Sequence, residues 1–220
     1  MNGVLEGEIA PTPLPLDFYA RPAEVVARAL LGASLRLVGH DGVVRSGRIV
    51  ETEAYVGAHD RACHAAKGRT QRTDIMFGPA GRAYVYLVYG LHELFNVVTG
   101  AEGDPQAVLV RALEPAPGTR GTDGSARGDG PGRLTRLLGI DRRLLGARLD
   151  APPLTLHPGR PPERILALKR IGVEYAGPEW ADAPLRFVDA DSAQLSVSLA
   201  RSGSGYSSRG RRDPSRTPST

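Results

Sequence analysis

Three groups of residues in this 220-residue chain have a chemistry that does not match the apolar strands around them. The first is acidic. If Arg48-Ile49-Val50-Glu51-Thr52-Glu53-Ala54-Tyr55 is a strand, alternate side chains share a face, so Glu51, Glu53 and Tyr55 should lie opposite Arg48, Val50, Thr52 and Ala54. A carboxylate beside an aromatic ring, at the end of a strand that feeds a long polar loop, suits a general base. By itself such a residue is more often a surface glutamate on an edge strand. Two carboxylates spaced i, i+2 lie about 6.5–7 Å apart along a strand, which also fits the acid–base pair of a glycoside hydrolase.

The second group is aromatic. The chain holds only seven Tyr, four Phe and one Trp, yet Tyr84, Tyr86 and Tyr89 fall within six residues. Tyr84 and Tyr86 would share one strand face, where cross-strand packing is the ordinary role and accounts for Tyr84. Tyr89 adjoins Gly90 at an expected hairpin tip, where packing explains it less well. Aromatic faces beside a basic loop are what stacking on a nucleobase requires. The third group is polar. Asn96 interrupts Leu94-Phe95-Asn96-Val97-Val98, and Arg111 interrupts Val108-Leu109-Val110-Arg111-Ala112-Leu113. Buried there, each costs several kcal/mol unless paired, so together they point to the lining of a pocket. His59, His64, Glu51, Glu53 and Asp60 crowd one region, but their spacing matches no zinc signature, and His64 reads as a hydrogen-bonding partner. No Walker loop, serine elbow or dinucleotide fingerprint occurs.

These residues need a scaffold, and the pattern supplies one. Pro22 begins a helix whose apolar positions are Val25, Val26, Ala29 and Leu30, with Gly32 as its stop. Leu35 to Val38 and Arg45 to Tyr55 read as strands joined at His40-Asp41-Gly42. Val56 to Ala80 is a polar loop; Ala83 to Tyr89 and Leu94 to Thr99 form a hairpin around Gly90. Ala107 to Leu113 is a buried strand, Pro115 to Gly132 a connector, and Leu134 to Ile140 a short helix. Further strands should fill Leu154 to Val188, with breaks at Pro161-Pro162 and Pro178. Residues 1–15 read as an extended leader, 16–200 as one domain and 201–220 as a disordered Ser/Gly/Arg tail.

At 41% hydrophobic and 24% charged, the composition is that of a globular domain, which excludes wholesale disorder. The tail holds five Arg and one Asp, so its +4 accounts for the whole net charge and the body is neutral. Two local basic stretches remain, Asp60 to Tyr86 and Arg120 to Arg148, and fit a polyanion-binding face as well as ordinary solvated surface. The single cysteine, Cys63, forms no internal disulfide. No apolar run reaches the roughly 18–20 residues of a membrane span. Met1 to Ala10 lacks the basic and apolar regions of a signal peptide, which points to the cytoplasm.

The ordered combination of Arg48 to Tyr55, His64, Gly68-Arg69-Thr70, Met76-Phe77-Gly78-Pro79, Tyr84-Val85-Tyr86, Tyr89-Gly90, Asn96-Val97-Val98, Leu109 to Pro115, Gly130 to Leu134 and Arg170-Ile171-Gly172 resembles the alkyladenine (3-methyladenine) DNA glycosylases in their bacterial form. The likeness runs from about Leu16 to Val188. It implies a mixed α/β single domain with a curved, largely antiparallel sheet, surface helices and a protruding β-hairpin. It also implies a monofunctional base-excision repair enzyme, cytoplasmic and monomeric, that flips damaged purines from double-stranded DNA without metal or cofactor. By resemblance, Glu53 activates water, and Arg111 with backbone near Ile171 holds it. Tyr55, His64 and Tyr86 wall the base pocket, and Asn96 crowds the amino group of normal guanine. Tyr89 wedges into the duplex, and Arg69 and Arg72 contact its backbone. Gln71 and Thr73 depart from the Arg-Thr-Pro-Arg-Asn common in related sequences, and Leu91 stands where Met is frequent. Two rivals remain: a non-catalytic binder of damaged nucleic acid on the same fold, and a sugar hydrolase, which would need Glu51 as its second acid.

Overall fold

The computed structural model of the protein describes residues 12–199, so the expected basic tail and most of the leader lie outside the described residues. Its helices are α1 (Leu16–Tyr19), α2 (Ala23–Ala29), α3 (Pro131–Leu138) and α4 (Pro178–Ala181). Its strands are β1 (Ser34–Val38), β2 (Val44–Tyr55), β3 (Ala83–Val88), β4 (His92–Thr99), β5 (Gln106–Pro115), β6 (Asp150–Ala151), β7 (Leu154–His157), β8 (Ile165–Leu168) and β9 (Arg186–Asp189). All nine join one antiparallel, curled sheet in the order β3-β4-β5-β2-β1-β7-β6, with β9 on β2 and β8 on β9. The mixed α/β, largely antiparallel expectation holds.

Strand β2 organises the sheet. One edge pairs with β5 from Gly47 to Tyr55; the other pairs with β1 over Val44 to Arg48 and then with β9 over Glu51 to Glu53. One face of this region packs under α2 and α3, in a core that includes Tyr19, Leu35, Ile49, Phe95, Leu113 and Phe187. The inward residues of α2 are Ala23, Val26, Ala27 and Leu30, the i, i+3, i+4, i+7 stripe of an amphipathic helix. Val25 and Ala29, expected on that stripe, face outward instead. Helix α3 starts on Pro131, buries Leu134, Leu137 and Leu138, and stops at Gly139 in the left-handed conformation. The polar loop after β2 is less irregular than its composition implies, with one-turn 3₁₀ helices at His64–Lys67 and Asp74–Phe77.

Candidate active site

The β2–β5 pairing contains a double irregularity that aims the polar residues. Ile49 pairs with Leu113, Glu51 with Ala112 and Thr52 with Val110, so Val50 on β2 and Arg111 on β5 are each left over. Such bulges re-aim side chains and often sit beside functional sites. Strict alternation fails here. Ile49 and Ala54 enter the main core and Thr52 bonds the Ala27 carbonyl of α2, whereas Val50 packs separately with Ala112, Val188 and Leu195. Placing Val50 with Thr52 and Ala54 was therefore wrong, because a pattern of residue types does not reveal an extra residue in a ladder.

Glu51 and Glu53 are both fully buried. Glu51 accepts from Arg111 Nε and Arg186 Nη1 at 3.1 Å each, and from the Ser196 amide and hydroxyl at 2.7 Å each. Glu53 accepts the Ile171 N–H on Oε1 at 2.8 Å and the Tyr55 hydroxyl on Oε2 at 3.0 Å, and Arg111 Nη1 lies 3.2 Å from the same Oε2. Burial, reinforced by the Glu53 charge, holds the Tyr55 phenol well above its ordinary pKa, so it acts as a donor. A carboxylate offers about four acceptor positions. Three are taken at Glu53, which leaves one for a water.

Asp60 and Arg170 complete the buried set. Their side chains are wholly inaccessible, and Arg170 Nη2 meets Asp60 Oδ1 at 2.9 Å. Burying charges costs several kcal/mol per ion unless each finds partners. Here three carboxylates (Glu51, Glu53, Asp60) face three guanidiniums (Arg111, Arg170, Arg186).

Beside this network lies a cavity of about 390 Å³ whose lining includes Tyr55, His64, Tyr86, Asn96, Arg111 and Ile171. Glu53 does not line it. It sits immediately behind Tyr55, Arg111 and Ile171, which do. His64 and Tyr86 meet edge-on, with ring centroids 4.7 Å apart. His64 Nδ1 is 2.9 Å from the Tyr84 hydroxyl, so Tyr84, read from sequence as packing alone, fixes the histidine ring and also borders the cavity. Burial, with Arg72 and Lys67 adding repulsion, pulls the His64 imidazole from 6.5 down to about 4. The wall is thus uncharged at neutral pH. Asn96 pairs with Tyr84 across the β3–β4 hairpin and donates from Nδ2 to the Tyr84 carbonyl at 3.2 Å.

At the hairpin tip, Tyr89 and Gly90 both have positive φ (51° and 70°), and Leu91 N–H closes the turn on the Val88 carbonyl at 3.0 Å. Tyr89 is 92% exposed and borders the cavity mouth, with Leu91 exposed beside it. A non-glycine residue in this conformation carries strain. Arg72 is exposed at the rim, with its guanidinium 4.9 Å from the Tyr86 ring centroid. Arg69, farther out, pairs with Asp74 at 2.6 Å.

Every residue named from sequence for the pocket therefore borders one cavity or, for Glu53, lies directly behind it. Sequence reasoning missed Tyr84's hold on His64 and Tyr175, whose hydroxyl bonds the Ala62 carbonyl at 3.1 Å at the cavity edge. It also missed the Asp60–Arg170 pair, although Asp60 was weighed as a metal ligand. The acidic and histidine residues that crowd this region of the sequence have separate partners: Glu51 and Asp60 turn to arginines and His59 lies edge-on to Trp180. The arginines of the Arg120 to Arg148 stretch are largely paired, with Arg127 and Arg133 on Asp129, Arg142 on Glu93, Arg143 on Asp141 and Arg148 on Asp150. No helix of the described residues is long and apolar enough to cross a membrane.

Known proteins resemble this chain over most of its length. A protein of Myxococcus xanthus named "Putative 3-methyladenine DNA glycosylase" is 57% identical over 185 residues, covering 83% of this chain and 93% of its own. Proteins of the same name from Legionella pneumophila (strain Lens) and Methanoculleus marisnigri are each 48% identical over 186 residues. They cover 83% and 79% of this chain, and 97% and 93% of their own. The family profile described as methylpurine-DNA glycosylase matches residues 17–193, which spans both the β2–β5 network and the aromatic cavity. The chain belongs to the methylpurine-DNA glycosylase family.

Proposed function

We propose that the protein is a DNA repair hydrolase that extrudes alkylated or deaminated purines from duplex DNA and hydrolyses their N-glycosidic bond. The observation that carries the chemistry is the position of Glu53, buried and held by three groups that all line the aromatic cavity. Arg69 and Arg72 approach the phosphates, and Tyr89 fills the space left by the extruded nucleotide, offsetting part of an unstacking cost of roughly a few kcal/mol. Tyr55 packs against the base from one side and His64 with Tyr86 from the other, while Asn96 crowds the exocyclic amino group of guanine.

Water held at Glu53, Arg111 and the Ile171 backbone attacks C1′. Its oxygen bonds the sugar carbon, its proton passes to the Glu53 carboxylate, and the bond to the purine nitrogen breaks with its electron pair leaving on the base. The carboxylate also stabilises the positive charge that builds on the sugar. Among the described residues, the cavity lining carries no aspartate or glutamate. A purine alkylated at N3 or N7 already carries positive charge and departs without a general acid, so it suits such a site better than a neutral deaminated purine does. The two-carboxylate route of a sugar hydrolase does not, because Glu51 is fully engaged with Arg111, Arg186 and Ser196. The reading carries with it a monomer acting in the cytoplasm without metal or cofactor. Incubation with methylated duplex DNA should release free 3-methyladenine and leave an abasic site; tight lesion binding without base release would instead identify a non-catalytic binder.

A further inference from the structure

The Asp60–Arg170 pair has no part in the chemistry above, yet it touches every support of Glu53 except Arg111. Arg170 immediately precedes Ile171, whose N–H meets Glu53 Oε1, and Gly172, with φ 75°, turns the chain away. Arg170 Nη1 donates to the carbonyl of Ala54, the residue after Glu53, at 2.9 Å. Its guanidinium lies 4.8 Å from the ring centroid of Tyr55, whose hydroxyl bonds Glu53 Oε2. A further bond runs from Nη2 to the Trp180 carbonyl at 3.3 Å. Asp60 holds the guanidinium through both oxygens and accepts the Ala62 N–H at 3.0 Å, which anchors the start of the loop that carries His64.

Two features argue for geometry over stability as the reason for this pair. A wholly buried ion pair is often no more stabilising than apolar residues of the same volume. In addition, Arg170 Nε is buried with no partner among the described residues, a cost that a purely stabilising arrangement would avoid. Arg170 is suited to joining strand β2 to the Ile171 turn because its planar fork bonds several oxygens at fixed angles.

We propose that Asp60 and Arg170 are positioning residues. They clamp the Ile171 turn to β2 and so hold the Glu53 carboxylate in its catalytic orientation. This rests on Glu53 being the catalytic carboxylate. Misplacing a reacting group by about 1 Å can cost on the order of 10²-fold in rate.

The test uses Arg170→Lys and Asp60→Asn in the full chain, beside Glu53→Gln. Three quantities are read: single-turnover excision at saturating protein, affinity for lesion DNA, and the ¹⁵N–¹H resonance of the Ile171 amide. Arg170→Lys keeps the charge opposite Asp60 and is the variant to rely on if Asp60→Asn does not fold. The expected result is excision slowed roughly 10- to 100-fold, lesion affinity within about threefold of wild type, and an Ile171 resonance displaced as Glu53→Gln displaces it. Wild-type excision in folded Arg170→Lys, with Glu53→Gln inactive, would overturn the clamp and leave the catalytic reading intact. A fall in lesion affinity equal to the fall in rate, or an unmoved Ile171 amide, would also overturn it. Wild-type excision by Glu53→Gln would remove the reading on which the clamp depends.

Discussion

Arg111 holds Glu51 and Glu53 at once, its Nε 3.1 Å from Glu51 Oε1 and its Nη1 3.2 Å from Glu53 Oε2. Because Arg111 is the unpaired residue of a bulge, its side chain is free of the ladder's alternation and can stand between two carboxylates on the neighbouring strand. Arg111→Gln leaves Glu51 paired with Arg186 and removes the guanidinium that pairs with Glu53. Urea unfolding should show a loss of about 3–5 kcal/mol, the cost of breaking a buried pair from one side. Adding Glu51→Gln should recover part of that loss, because the two sites are coupled. Additive losses in the double variant would contradict the shared-charge account.

Tyr89 combines positive φ with near-complete exposure, so its side chain does little for the fold. Tyr89→Gly should leave stability unchanged or raise it by up to about 1 kcal/mol, since glycine adopts this conformation without penalty. It should weaken lesion binding in paired duplex and matter less when the lesion is mispaired or single-stranded, where little stacking must be broken. Equal impairment on both DNAs would make Tyr89 a structural residue.

His64 offers a pH test. Its folded pKa, about 4, lies below the ordinary 6.5, so the unfolded chain binds more protons between those values. Stability from this group is therefore complete above about pH 6.5 and declines as pH falls towards 4. The His64 ring resonances should titrate near 4, and pocket binding should not change through His64 between pH 6 and 8. A midpoint near 6.5 would mean the ring is not enclosed as described.

The chain's two lysines bear on the reaction type. Lys169 pairs with Asp182 at 2.7 Å on the surface, and Lys67 is exposed beyond His64. Cleaving the DNA backbone through a Schiff base needs an amine at the sugar carbon. Borohydride reduction during turnover should trap no protein–DNA adduct; a covalent adduct would contradict monofunctional hydrolysis.

Much of this site could be read in the sequence because its members violate local expectation: a glutamate and an arginine in apolar strands, and a tyrosine at a hairpin tip. The hairpin and the extent of β2, though not which way every β2 side chain faces, follow from the residue pattern and from glycine placement. What was not legible depends on contacts distant in sequence. The Asp60–Arg170 pair spans 110 residues, and the bulge that aims Arg111 leaves no compositional trace. Tyr84 looked like packing because its hydroxyl partner, His64, lies in a different element. On α2, Val26 and Leu30 face inward as expected but Val25 and Ala29 do not, because Val25-Val26-Ala27 and Ala29-Leu30 allow two overlapping stripes.

The central claim is that Glu53 takes the proton of the attacking water. Glu53→Gln preserves the side chain's shape and lets its amide oxygen still accept the Ile171 N–H, but it cannot take a proton. On methylated duplex DNA at saturating protein, single-turnover release of 3-methyladenine should fall by at least roughly 10²–10⁴-fold, the range for a lost general base, while lesion-DNA affinity persists. Excision at the wild-type rate would contradict the account.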